Sequence, residues 1–148
     1  MARTSDRSAR SAAAGVSGGW AAGQREASLR IAIGVAVAIA GSLLHDLVEF
    51  GRPAVENTGV VAGVLMVGAL AWAVSPLHRR VVRGSMLVVV AVFLSFGAIA
   101  SVLPLPIWPF EPDQGLVHYL VHGVWAAALG VTIWSLLRLP VVTAPDER

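Results

Sequence analysis

Four stretches of apolar sequence, each close to the length a helix needs to cross a bilayer, constrain this chain more than any other feature. They run over about 29–50, 58–74, 82–103 and 116–137. Covering about 30 Å of hydrocarbon takes about 20 consecutive apolar residues in a helix. Glycine and β-branched residues are frequent in all four stretches and would weaken a helix in water. Lipid offers the backbone no partner but itself, so helix remains the expected state. With 56% hydrophobic residues, 14% charged and a mean hydropathy of +0.73, the 148-residue chain has too few polar groups to cover a soluble domain. The expected fold is all-α: an integral membrane four-helix bundle in one domain, residues 28–139.

The flanks read differently. Residues 1–27 are rich in Ser, Ala, Gly and Arg without apolar periodicity, and are expected to form a disordered cytoplasmic tail. Residues 140–148 form a short second tail. Ala38-Ile39-Ala40 has the small-residue spacing of a signal-peptide cleavage site, but apolar sequence resumes at Leu43 and Leu44, which argues against cleavage.

Orientation follows from arginine, which supplies all 11 basic residues. Arg3, Arg7, Arg10, Arg25 and Arg30 precede the first segment; Arg79, Arg80 and Arg83 lie between the second and third, and Arg138 and Arg148 follow the fourth. Arg52 alone falls on the opposite side, with Asp46, Glu49, Glu56, Glu111 and Asp113. The positive-inside rule then puts both termini in the cytoplasm of a multi-pass plasma-membrane protein. The all-arginine usage suits a GC-rich bacterial genome. Trp72 and Trp134 near the inner ends, and Trp108 and Tyr119 near the outer ones, fit aromatic belts. Short connections imply an up-down-up-down bundle.

Small residues mark the seams. Gly34, Ala38 and Gly41 share one face of the first helix with His45, while Gly123 with Ala127 and Ala126 with Gly130 have small-xxx-small spacing on the fourth. The third connection, Leu103 to Asp113, is proline-rich and expected to be extended, with Trp108 and Phe110 near the outer mouth and Asp113 placed to cap the fourth helix.

Ionisable groups at membrane depth are confined to the outer ends of the first and last helices: His45, Asp46 and Glu49 on one, His118 and His122 on the other. From the helical rise, His45 lies about 7 Å below the outer end, His118 about 3 Å and His122 about 9 Å, so the three share a layer. Such groups usually face the bundle interior and pair. His45, Glu49, His118 and His122 are therefore the candidate metal ligands, with Asp46 and Glu111 as outer support. Imidazole and carboxylate suit Zn, Cu, Ni or Fe(II). Two histidines could instead be axial ligands of a haem, or the group could relay protons. The plain alternative is that each histidine bonds a nearby carbonyl or the headgroups, as His78 among the cytoplasmic arginines is expected to do.

The His118–His122 spacing resembles one histidine box of membrane-bound desaturases and hydroxylases. Their di-iron site draws on several boxes, which four histidines in all cannot supply. The absence of cysteine removes disulfides, thiolate sites and cysteine nucleophiles. There is no Walker loop, no Ser/His/Asp site and no pair of broken inverted repeats. The pI near 10.4 reflects arginines at helix ends rather than a nucleic-acid surface. What remains is an accessory or ligand-binding membrane protein, an interaction subunit or homo-oligomer without cofactor, or a small redox or proton-coupled enzyme using the same cluster.

Overall fold

The computed structural model describes residues 4–53, 58–105 and 115–140, and the regular elements among them are all helical. Helix α1 spans Thr4–Phe50, α2 Val60–Val74, α3 Arg79–Val92 and α4 Leu116–Leu137. A 3₁₀ turn, Pro76–His78, leads into α3. Beyond α3 the chain continues as a π-helical segment, Phe93–Ile99, and a 3₁₀ turn, Ala100–Val102. Ala22–Phe50, Pro76–Val102 and Leu116–Leu137 are long and apolar enough to cross a membrane. The expected second segment is shorter than the others. α2 proper has 15 residues, about 22 Å at the helical rise.

The helix starts earlier than the expected boundary between tail and bundle. Residues 1–27 do not end where a helix begins, because α1 is already helical from Thr4. Between Thr4 and Ala27 there is no proline, and Ala, Arg, Glu and Gln favour helix against the cost of Gly15, Gly18, Gly19 and Gly23. Its last stretch is also packed. Ala27 is 2% exposed, and Gln24 accepts a 3.0 Å hydrogen bond from Arg79. α1 stops at Gly51, whose φ of +65° is the left-handed conformation glycine adopts without strain. Its N–H bonds Leu47 O at 3.1 Å, satisfying one of the carbonyls the helix end would otherwise leave open.

α1 and α4 form the main seam. Moving along it, Gly34 meets Thr132 and Ser135, Gly41 meets Ala128, and His45 meets His122, so the two helices run antiparallel. The expected Gly34–Ala38–Gly41–His45 face is the buried one. A Cβ at Gly41 would lie 2.5 Å from Ala128 Cβ, so glycine is what permits this approach. Thr132 Oγ1 donates across the seam to Gly34 O at 2.8 Å, and Trp125 Nε1 donates to Ser42 Oγ at 3.0 Å.

Of the small pairs expected on α4, Ala126 packs against the core, but the two glycines permit no close approach. Gly123 and Ala127 are exposed, and a Cβ at Gly123 or Gly130 would meet nothing within 4 Å. The seam instead uses Trp125, Ala128, Thr132 and Ser135; the Thr132 hydroxyl packs closely because it donates to backbone carbonyls, Gly34 O across the seam and Ala128 O on its own helix. Trp72 is likewise buried, 2% exposed, with the Arg79 guanidinium 5.3 Å from its ring centroid, rather than placed in an outward belt. Trp134 is 55% exposed.

Candidate functional site

Where α1 and α4 meet near Phe50 and Leu116, the seam turns polar. His45, Asp46, His118 and His122 are all buried there, and Asp46 is fully so. Helical spacing explains the grouping. His45 and Glu49 sit a turn apart on α1, as do His118 and His122 on α4, and the antiparallel seam brings the two pairs face to face. One ligand atom from each of Glu49, His118 and His122 lies within 4.8 Å of the others. Bonds of about 2.0–2.2 Å hold ligands of one ion no more than about 4.3 Å apart, so small side-chain movements suffice to close this set on a metal.

The proton positions follow from the partners. His122 Nδ1 stands 3.2 Å from Ala98 O in the π-helical segment. A carbonyl only accepts, so Nδ1 carries the proton and Nε2 is left as the ligand atom. Metal-bound histidines commonly hold their second nitrogen this way. His45 Nδ1 stands 3.1 Å from Asp46 Oδ1, and Asp46 Oδ2 accepts from Thr58 N at 3.3 Å and Thr58 Oγ1 at 2.6 Å. His45 Nε2 then faces His122 Nε2 at 3.1 Å.

His118 is the least satisfied group among the described residues. Its Nδ1 lies 2.9 Å from Glu49 Oε1, yet without the alignment a hydrogen bond needs, and neither ring nitrogen has a hydrogen-bond partner. Both atoms are sealed from solvent. Leaving buried polar atoms unpaired costs about 1–3 kcal/mol each.

Aromatic packing fixes the cluster from below. The Trp125 ring lies 4.3 Å from that of His45, and His118 and His122 rings are 4.4 Å apart. Gly97 in the π-helical segment makes room for Trp125: a Cβ there would lie 2.9 Å from Cη2.

The structure thus brings Glu49, His118 and His122 into one group, with His45 against His122 and Asp46 behind His45. Glu111, expected as outer support, lies outside the described residues, as do Glu56, Trp108, Phe110 and the expected cap Asp113. Gly115 occupies the N-cap position of α4. Sequence reasoning missed Thr58, Trp125, Ser42 and Ala98. Trp125 alone carried a usable signal, lying three residues after His122 and so on the same face of α4. Comparisons with protein-family models, curated proteins and solved structures give no match.

Proposed function

We propose that this chain is a four-span bacterial plasma-membrane protein, with both termini cytoplasmic, that binds a divalent transition-metal ion at Glu49, His118 and His122. The observation that carries the metal reading is His118. It is a buried imidazole with no hydrogen bond to either nitrogen, set beside a carboxylate and a second imidazole whose tautomer leaves a ligand atom exposed to it. Nitrogen ligands favour Zn, Cu, Ni or Fe(II) over Mg or Ca, which take oxygen shells. A haem fits poorly, since the His45 and His122 Nε2 atoms are 3.1 Å apart and leave no gap for a macrocycle between them.

The membrane reading rests on an inverted surface. Buried positions include Ser42, His45, Asp46, Thr132 and Ser135, while Val67, Leu70, Val88, Leu116 and Leu120 are each at least 60% exposed. In water such a surface would aggregate; in lipid it is the expected one. α2 is accommodated as a short fourth span by local bilayer thinning. The role is that of a metal-binding accessory protein, alone, as a homo-oligomer or within a membrane complex.

Two experiments test these readings separately. The chain has no cysteine, so single cysteines report topology cleanly. Arg52→Cys and Leu105→Cys should react with an impermeant maleimide added outside intact cells, and Leu77→Cys only after permeabilisation. Labelling of all three from outside would refute the four-span arrangement. For the metal, elemental analysis and Co(II) titration of detergent-purified protein should give one ion per chain. His118→Ala should reduce affinity at least 100-fold. A metal-free wild type that takes up no Co(II) would leave the cluster as a polar packing seam and end the metal reading.

A further inference from the structure

We propose that His45 is a fourth ligand of the same ion, and that Asp46 is the positioning residue that makes it one. The inference rests on the metal reading and goes beyond its three ligands. Its basis is the arrangement of acceptors around two imidazoles. His122 Nδ1 is turned to Ala98 O and His45 Nδ1 to Asp46 Oδ1, and a carbonyl and a carboxylate both accept. Each ring therefore places its Nδ1 proton outward from the pair, and the two Nε2 atoms face each other at 3.1 Å. A contact at that distance is satisfied either by a proton shared between the two rings or by a cation that both lone pairs reach. The separation also matches ligands on one centre: two bonds of about 2.05 Å at the tetrahedral angle put their nitrogens about 3.3 Å apart.

Asp46 enforces this. It is fully buried, and it is anchored by the N–H and hydroxyl of Thr58, two residues before α2, so its second oxygen is fixed toward His45. A carboxylate behind a metal-bound histidine sets the ring's tautomer and orientation and raises its basicity. Trp125, 4.3 Å from the His45 ring, limits its rotation. The resulting set is three imidazoles and one carboxylate, all from α1 and α4; His45 stands outside the group within 4.8 Å and joins it by closing from its place 3.1 Å from His122 Nε2.

The test is the number of nitrogens bound to Cu(II), read by electron paramagnetic resonance on full-length protein in detergent. Wild type should show three nitrogens, and His45→Gln two, with copper still bound. Asp46→Asn should keep three nitrogens but lose about 10–100-fold in affinity, with recovery in Asp46→Glu. Two nitrogens in wild type would overturn the inference without recourse to any variant, while leaving the three-ligand site intact. Unchanged spectra in His45→Gln would overturn it equally. A wild type that binds no copper would overturn both this inference and the site beneath it.

Discussion

Alanine at position 41 should destabilise the purified protein by about 1–3 kcal/mol, the usual range for overpacking a tight core. The expectation comes from geometry rather than propensity. In a helix interior alanine normally stabilises relative to glycine by about 0.5–1 kcal/mol. Here the added Cβ would sit 2.5 Å from Ala128 Cβ and 3.6 Å from Trp125 Cδ1. Neither neighbour has a flexible end that can move aside, so α1 and α4 must separate. Separation lengthens the Thr132–Gly34 and Trp125–Ser42 hydrogen bonds on either side of the contact. It also draws His45 away from His122, so metal affinity should fall in parallel. Thermal unfolding in detergent measures the first effect and Co(II) titration the second. Ala128→Gly on the Gly41→Ala background should restore much of the loss, since it removes the colliding atom. Gly123→Ala is the control: nothing lies within 4 Å of its added Cβ, and it should be neutral or stabilising. Equal behaviour of Gly41→Ala and Gly123→Ala would mean the seam is looser than the structure has it.

This contrast between two glycines also marks what a single sequence reveals. The helical class was legible because lipid-length apolar runs leave few alternatives. The α1 face was legible because Gly34, Ala38, Gly41 and His45 fall on one stripe by spacing alone. On α4 the same rule pointed to Gly123, Ala126, Ala127 and Gly130, of which Ala126 packs against the core while the two glycines meet nothing within 4 Å. Thr132 and Ser135 do the close packing instead, through a hydrogen bond to Gly34 O and contact with the same glycine. Spacing cannot rank a hydroxyl stripe against a glycine stripe, since both permit approach. The same limit hid the start of α1. Composition up to Ala27 resembles a tail, and only the contacts of Gln24 and Ala27 with the rest of the bundle show that part of it is packed. In the site, ligand types and their common depth were readable from helical rise. Thr58 was not, because it reaches Asp46 from a different helix across a connection whose course no local pattern encodes. Ala98 O was invisible for a related reason: every residue has a carbonyl, and only the path of the π-helical segment turns this one toward His122. Such segments are often found at functional sites.

Removing the Asp46 carboxylate should be the most damaging single change to the metal-free protein. In Asp46→Ala, three donors lose their acceptor together: Thr58 N–H, the Thr58 hydroxyl and His45 Nδ1–H. Thr58 and His45 are both buried, at 8% and 4% exposure, so water cannot readily replace the carboxylate. An unpaired buried donor costs about 1–3 kcal/mol, and three in one place put the loss at roughly 3–5 kcal/mol once partial relaxation is allowed for. Part of that loss is architectural. Asp46 is a polar link from α1 to the start of α2, and α2 is too short to be held by its own burial as firmly as the longer helices. Thr58→Val tests the division: it keeps the N–H donor and removes the hydroxyl, and should cost about 1 kcal/mol. Asp46→Asn retains an acceptor for Thr58 and should fall between the two, folded well enough for metal titration. Unfolding should be followed with chelator present, so that lost stability is not confused with lost metal. If Asp46→Ala proved as stable as Thr58→Val, the carboxylate would have to be solvated. The dry, preoriented environment behind His45 would then be gone, and with it the physical basis for a fourth ligand.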